Sequence, residues 1–206
     1  MQPITWQHRI FLLSPASASG ERARMLLRDT ADFDLAVSVR REGAPLGEVF
    51  RFVSGLYFRG KLAYAEAFAA PPPGVPGILV IAPGRGLVSP EMPVTIEDLR
   101  EMSTVPVHEA EPRYRLPLER DAATLAAAIP PDCAVILLGS VATSKYSVPL
   151  LNVLGERLLF PAEFVGRGDM SRGGLMLRCA RAGIELTYVP VAGATRRGQR
   201  PPKLPR

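Results

Sequence analysis

The sequence predicts a single α/β domain over residues 1–194, in which a mostly parallel central sheet carries helices on both faces in a three-layer sandwich. Short, fully apolar runs such as 77–81 and 134–138 are typical of strands buried on both sides of a parallel sheet. These runs alternate with longer segments of helical periodicity, and no linker or internal repeat divides them. The chain has 206 residues, enough for one domain with a full core.

The first half of the chain predicts strands and helices in alternation. Apolar and polar residues alternate over 34–40, which favours a half-exposed strand, and three prolines at 71–73 end a clear helix. The predicted elements are a strand over 9–13, a helix over 20–28 capped by Ser17 or Ser19, strands over 34–40 and 50–53, a helix over 57–69 and a buried strand over 77–81.

The second half predicts the rest of the sheet and a long polar loop. The segment 103–117 is rich in proline and charge, and a loop of this length inside a compact domain is usually functional or mobile. The predicted elements are a loop over 82–88, a helix over 95–102 capped by Thr95, helices over 121–129, 144–154 and 170–182, and strands over 134–138, 157–160 and 186–189.

Composition favours an ordinary water-soluble globule in the cytoplasm. Hydrophobic residues make up 47% of the chain and charged residues 22%. No apolar run approaches the roughly 20 residues that span a bilayer, and the first residues do not resemble a secretion signal, so no membrane partner is expected. Cys133 and Cys179 lie in a predicted strand and helix without metal-ligand spacing, which predicts buried free thiols and no metal site. No cofactor is expected.

The net charge of +5 is concentrated at the end of the chain. Residues 195–206 contain five basic residues and no acid, and without them 20 basic residues face 20 acidic ones. With three prolines and no apolar periodicity, this segment is predicted to be a disordered basic tail. Such a tail reaches a polyanion in some proteins and only aids solubility in others.

Polar, glycine-bearing clusters follow the predicted strands, where ligands gather in α/β sheets. They lie at 14–17, 83–86, 139–140 and 164–174, and a fifth cluster at 54–59 leads into a helix. The segment 164–174 is the richest, because its glycines admit a ligand close to the backbone, and arginine forks and free helix-start amides suit an anion. The alternative is a glycine-rich turn with solvated arginines.

Standard catalytic motifs are absent from the sequence. It contains no P-loop, first-strand GxGxxG, GxSxG, HExxH or kinase signature, which argues against the corresponding enzyme classes. Of two histidines, His108 lies near Glu109 and Glu111 in the long loop, where it is a candidate acid or base or, alternatively, a solvated loop residue.

Five short motifs occur along the chain: Leu13-Ser14-Pro15-Ala16, Ser54-Gly55-Leu56-Tyr57, Arg85-Gly86-Leu87-Val88-Ser89-Pro90, Lys145-Tyr146, and Arg167-Gly168 with Met170-Ser171-Arg172. In their order and approximate spacing they resemble the YaaA family of DNA-binding peroxide-stress proteins. Asp169 interrupts the last motif where an apolar residue is expected, and the chain is shorter than those proteins. The resemblance implies a protein that binds DNA.

The same pattern is similar, more distantly, to uracil-DNA glycosylase-like α/β domains and to related domains of enzymes that mature 7-deazaguanine bases. Residues 135–142 are similar to the strand and glycine turn that precede a helix in those glycosylases. Phe160-Pro161 stands where they have a histidine followed by proline, so the residue that would polarise a leaving base is missing. The resemblance implies a uracil-DNA glycosylase-like fold and recognition of a base.

Three hypotheses for function follow. In the first, the protein binds DNA and excises or modifies a damaged or modified base that it has turned out of the stack. In the second, it is a non-enzymatic DNA-binding protein of oxidative-stress protection. In the third, it is an enzyme acting on a free nucleoside or nucleotide.

The first hypothesis assigns roles to individual residues. Asp169 orients water or stabilises a cationic sugar, or instead caps a helix beside Arg172, and His108 is the second catalytic candidate. Tyr57 and Phe164 are the residues expected to stack on the base. The residues expected to contact nucleic acid are Ser14, Ser17, Arg59, Arg85, Lys145, Arg167, Ser171 and Arg172.

Overall fold

A six-stranded sheet forms the centre of the molecule. The structure is a computed structural model, and it describes residues 6–17, 20–194 and 198. Its strands are β1 (His8–Leu13), β3 (Ile78–Ala82), β4 (Gly86–Val88), β6 (Cys133–Leu138), β7 (Leu158–Pro161) and β8 (Tyr188–Pro190), and a separate antiparallel pair joins β2 (Ala44–Pro45) to β5 (Pro93–Val94). The strand order is β4-β3-β1-β6-β7-β8. The four inner strands run parallel, and β4 and β8 pair antiparallel at the edges.

Helices cover both faces of this sheet. They are α1 (Glu21–Leu26), α2 (Asp34–Arg41), α3 (Leu46–Ser54), α4 (Leu56–Phe68), α5 (Ile96–Ser103), α6 (Pro112–Ala128), α7 (Ser144–Leu154) and α8 (Asp169–Ala182). Alternate residues of β1 point to opposite faces: Phe11 packs in the core under α4 and α8, and Leu12 in the core under α6 and α7. The predicted α/β class, with a mostly parallel sheet, is confirmed.

The connections change sides of the sheet between β1 and β6. The chain leaves β1 through α1–α4 on one face to reach β3, and leaves β6 through α7 on the other face to reach β7. These two neighbouring strands end level with each other, since Leu13 pairs with Leu138. The following loops therefore separate and leave a crevice, which is where open α/β sheets bind ligands.

Two segments that were predicted to be strands are helices. The segment 34–40 belongs to α2, in which Ala36 and Val39 are buried at helical spacing. The segment 50–53 belongs to α3, in which Leu46, Val49 and Phe50 line one buried face. Short apolar stretches fit both periods, and here the buried positions are three and four residues apart.

Several boundaries also differ from expectation. The predicted loop 82–88 contains β4, which turns back on β3 in a tight hairpin. The long polar loop ends at Glu111, because α6 begins with Pro112, a residue suited to the first helical turn. The N-cap of α1 is Gly20 rather than Ser17, and Ser19 lies outside the described residues.

Two local expectations hold in full or in part. Thr95 caps α5 in a reciprocal capping box with Asp98, whose amide donates to the threonine hydroxyl over 3.3 Å. Both cysteines are free, but only Cys133 is buried, and Cys179 is half-buried. Within the described segments, no helix has the length and apolarity to cross a membrane. The predicted basic tail 195–206 lies outside the described residues except for Gly198.

Candidate functional site

A cavity of about 320 Å³ lies in the crevice between the ends of β1 and β6. Each wall comes from a different segment: the loop after β1, the loop after β6, the α3–α4 junction and the starts of α7 and α8. The polar residues that line it are Ser14, Ser17, Ser54, Tyr57, Ser140, Lys145, Tyr146 and Asp169. We call it the polar cavity. Three of the predicted strand-end clusters meet here, together with the cluster that leads into α4.

Three helices begin at this cavity. The N-cap residues of α4, α7 and α8 are Gly55, Thr143 and Gly168, and none of the three makes a side-chain capping bond among the described residues. The first amides of a helix lack intrahelical acceptors, and the helix dipole places partial positive charge there. The cavity mouth therefore favours an anion.

Lys61 lies beneath the cavity and is fully buried. Its Nζ donates to the Ser14 carbonyl oxygen over 2.6 Å and to Ser14 Oγ over 2.9 Å, and it sits 4.2 Å from the centre of the Tyr57 ring. Burial lowers the pKa of this ammonium group to about 7. Ser14 Oγ in turn lies 3.2 Å from the Leu138 carbonyl oxygen, so the lysine ties α4 to the ends of both β1 and β6.

The hydroxyl of Tyr57 is buried without a hydrogen-bond partner among the described residues. Ser14 and Arg172 lie beside it, but neither bonds it with normal geometry. Burial raises the pKa of this phenol to about 12, so it is neutral and able to donate. A buried polar group of this kind costs free energy unless a ligand or water satisfies it.

Asp169 is the first residue of α8, and its side chain is 66% exposed at the rim of the cavity. Arg172 Nη1 lies 3.5 Å from Asp169 Oδ1. The remaining contacts of this buried arginine hold the preceding turn, since Nε and Nη2 donate to the Phe164 carbonyl oxygen over 3.2 and 3.0 Å. Arg172 thus contributes positive charge from outside the cavity lining, and its guanidinium group is not free to bind a ligand with two parallel hydrogen bonds.

The remaining candidates of the segment 164–174 include two that contact each other. Arg167 Nη1 donates to Ser171 Oγ over 3.3 Å, and Arg167 Nε donates to the Glu163 carbonyl oxygen over 3.0 Å. Both side chains are half-buried and lie outside the lining of the cavity. Phe164 is 1% exposed, so its ring has no accessible face for a base and serves the core.

Three other candidates lie apart from the polar cavity. Arg85 is paired with Asp98 and, over 3.0 Å, with Glu101 on α5. His108 is exposed, and its Nδ1 accepts from the Ala110 amide over 3.1 Å; its neighbour Val107 lines the cavity instead. Arg59 is exposed in a separate depression of about 440 Å³, which shares Ser54 with the polar cavity.

An apolar cavity of about 260 Å³ adjoins the polar one, and both are lined by Ala16, Ser17 and Val107. Its other walls include Phe50, Leu99, Met102 and Val105. The two cavities together offer an apolar slot beside a hydroxyl-rich compartment bordered by cations. That combination suits a ligand with a flat apolar part and an anionic part.

No match to the chain was found among protein-family models, curated proteins or solved structures. Within residues 6–17, 20–194 and 198, no group of three His, Cys, Asp or Glu side chains is arranged to hold a metal ion. The inference of function therefore depends on the geometry of the two cavities.

Sequence reasoning missed Lys61. A signal was present, because in a helix Lys61 shares a face with Tyr57 and Phe58, four and three residues before it, and with Tyr64 and Ala65 after it. A lysine in the middle of an apolar face either lays its aliphatic chain along the surface and keeps its ammonium group in water, or buries the whole side chain. Only the packing of α4 against α8 decides that it is buried.

Proposed function

We propose that the protein binds one nucleotide of DNA in the two adjoining cavities and acts on its damaged or modified base, by hydrolysis of the N-glycosidic bond or by modification of the base. On this proposal the domain is of the uracil-DNA glycosylase-like type. The observation that carries the proposal is the carboxylate of Asp169 at the rim of a polar cavity that adjoins an apolar one.

The shapes of the cavities support a division of the nucleotide between them. The base occupies the apolar slot beside Phe50 and Met102, and the sugar and phosphate occupy the polar cavity. Tyr57 is 8% exposed, with Lys61 over its ring, so recognition relies on hydrogen bonds and apolar contact more than on aromatic stacking. Base and sugar reach such a crevice only if the nucleotide leaves the duplex stack.

The chemistry of N-glycosidic hydrolysis fits the charges around the polar cavity. Water adds to C1′ of the sugar, the electron pair of the C1′–N bond departs with the base, and the proton of the water passes to solvent or to the base. Positive charge grows on the sugar as the bond breaks, and the carboxylate of Asp169 stabilises it. The positive charge of Lys145, which also lines the polar cavity, favours the negative charge that develops on the base.

One observation favours a second candidate, an enzyme that acts on a free nucleotide. Two arginines expected to contact DNA are engaged within the protein, Arg85 by Asp98 and Glu101 and Arg172 by the Phe164 carbonyl oxygen. They are less available to bind the phosphates of a duplex. A free nucleotide needs only the two cavities.

The test is to incubate the protein with duplexes that carry a panel of modified bases, and with the matching free nucleotides, and to detect released or altered base by mass spectrometry. Asp169→Asn is expected to lose base release by about 100-fold or more while DNA affinity stays within a few-fold. Asp29→Asn is the matched control, because Asp29 is exposed and lies outside the cavity lining. Activity should be retained in that control.

Each other result decides among the hypotheses. Full activity of Asp169→Asn would remove this residue from the mechanism. Release from free nucleotides alone would favour the second candidate. If no base were released or altered from any substrate, the enzymatic proposal would be wrong, and DNA binding without chemistry would remain.

A further inference from the structure

We propose that the polar cavity is an oxyanion site, and that occupation of this site by the phosphate of the nucleotide drives uptake of a proton by Lys61. This deepens the proposed function, since it rests on the assignment of phosphate to the polar cavity. It names the part of the ligand that the cavity recognises and the buried group that responds to it.

Two independent observations point to an oxyanion. The starts of α4, α7 and α8 meet at the cavity without side-chain caps among the described residues, so their amides are available to an acceptor. The Tyr57 hydroxyl is a buried donor that no described residue satisfies, and its side chain lines the same cavity. An oxyanion supplies acceptors for both.

The surroundings of Lys61 make its protonation sensitive to a nearby charge. Its Nζ donates to the carbonyl and hydroxyl oxygens of Ser14 and lies over the rings of Tyr57 and Phe58, the last at 5.1 Å. Among the described residues no carboxylate lies within ion-pair distance of it. A fully buried ammonium group without a paired anion loses much of its charge near neutral pH.

Charged groups on the neighbouring elements set the balance. Arg172 on α8 and Lys145 on α7 repel a proton on Lys61, and Asp169 on α8 attracts it. Together with burial, they lower the pKa of Lys61 to about 7. An anion in the polar cavity adds negative charge on the side that Lys145 and the helix starts now make positive, and therefore raises this pKa.

Linkage makes the coupling measurable. With the pKa of Lys61 near 7 in the free protein and well above 8 in the complex, binding is expected to take up about half a proton at pH 7 and nearly one proton at pH 8. By reciprocity, anion affinity increases about tenfold from pH 8 to pH 6. Sulfate is the best probe of this count, because it does not titrate in that range, whereas phosphate does.

The experiment is isothermal titration calorimetry of the full chain with sulfate, in two buffers of different ionisation enthalpy, at pH 6, 7 and 8. Inorganic phosphate and a 2′-deoxynucleoside 5′-monophosphate are titrated in parallel. Wild type is expected to show the proton uptake and the pH dependence given above. Lys61→Met is expected to bind sulfate with no proton uptake and with an affinity that is flat from pH 6 to pH 8.

Lys145→Met is the matched variant, because Lys145 lines the cavity but is half-buried rather than enclosed. It is expected to weaken sulfate binding several-fold while proton uptake persists. Sulfate binding to wild type without proton uptake would overturn the coupling, as would undiminished uptake in Lys61→Met. If Lys61→Met does not fold, the wild-type proton count and pH dependence decide alone.

Failure of the oxyanion site and failure of the proposed function give different results. If neither sulfate nor phosphate binds at millimolar concentration, the oxyanion site is wrong, while release of a base in the duplex panel would still support the function. If the anions bind with proton uptake but no substrate reacts, the oxyanion site and its coupling to Lys61 are supported and the enzymatic proposal is wrong.

Discussion

At the scale of single residues, the hydroxyl groups of Tyr57 and Tyr64 on α4 differ in their hydrogen bonding. The Tyr64 hydroxyl accepts from the Leu186 amide over 2.7 Å and lies 2.7 Å from the Tyr188 hydroxyl. The Tyr57 hydroxyl has no such partner in the described part of the chain. The Tyr64 hydroxyl stabilises the fold through these bonds. The Tyr57 hydroxyl costs stability while it lacks a partner, and a ligand that accepts its hydrogen bond would remove that cost.

This contrast predicts the effect of removing each oxygen. Tyr57→Phe should leave the free energy of unfolding unchanged or raise it by up to about 1 kcal/mol, since an unsatisfied group is lost, and should weaken sulfate binding about two- to tenfold. Tyr64→Phe should lower the free energy of unfolding by about 1–3 kcal/mol, because the Leu186 amide is left unpaired. Urea unfolding and calorimetry measure both. Equal destabilisation by the two changes would mean that Tyr57 is already satisfied in the folded protein.

Residue-level prediction from sequence succeeded where local position decides and failed where packing decides. Ser14, Ser17, Tyr57 and Asp169 belong to clusters that follow strands or lead into helices, Lys145 was named through the family resemblance, and all five line the polar cavity. The partners of a side chain depend on the whole fold. The burial of Phe164 and the ion pairs of Arg85 were therefore not readable from their neighbours in sequence.

At the scale of elements, the site depends on the crossing of α4 and α8, where two glycines touch. A Cβ atom on Gly173 would lie 2.7 Å from the Leu56 carbonyl oxygen, and one on Gly60 would lie 2.6 Å from the Gly173 carbonyl oxygen. Both contacts are with backbone, which cannot move aside alone. The crossing places Tyr57 and Asp169 at the same cavity.

Gly173→Ala is therefore expected to force the two helices apart and lower the free energy of unfolding by about 1–3 kcal/mol. It should also weaken sulfate binding, because Tyr57 moves with α4. Gly174→Ala is the matched control in the next position, where the nearest heavy atom is the Arg178 guanidinium at 3.9 Å. There the added methyl should stabilise α8 by up to about 1 kcal/mol through helix propensity. Urea midpoints that shift alike for the two variants would show that the crossing tolerates a side chain.

Element-level prediction followed the strength of the periodic signal. The helix α4 and the buried strands β3 and β6 have one consistent pattern and were placed within a few residues, whereas α6 (Pro112–Ala128), which contains Pro117, was predicted only over 121–129. The segments that form α2 and α3 are eight and nine residues long, and so short a stretch fits either period. Contacts of these helices with the rest of the core select the helical form.

At the scale of the whole molecule, the topology explains which strand-end clusters meet. Parallel strands β1 and β6 end side by side, so the loops after them, with the start of α8, share one crevice. The cluster after β3 follows a parallel strand too, but Gly86, with φ of 80°, helps turn the chain straight back into β4. From that hairpin Arg85 pairs with Asp98 and Glu101 of α5, and it lies outside the lining of the cavity. The sequence predicts that loops after parallel strands lie at the same edge of the sheet. Only the three-dimensional course of the chain shows which of these loops line the cavity.

The distribution of charge over the whole chain predicts how it meets DNA. Outside residues 195–206 the chain has 20 basic and 20 acidic residues, so the excess positive charge belongs to the last twelve positions. If those five basic residues contact phosphates, deleting residues 195–206 should weaken duplex binding. It should also make the dependence of log affinity on log salt concentration shallower by up to about 4 units. Fluorescence anisotropy over a salt series measures both.

A variant with the five basic residues of this segment replaced by Gln, at unchanged length, separates charge from length and should behave like the deletion. Sulfate binding in the polar cavity should be unaffected in either variant, because the residues that line this cavity lie between positions 14 and 169 of the chain. Unchanged duplex affinity and salt slope after deletion would mean that the segment serves solubility alone. Duplex contacts would then fall to the exposed cations beside the cavity, Arg22 and Arg59, and with so few of them a free nucleotide would become the better substrate for the two cavities.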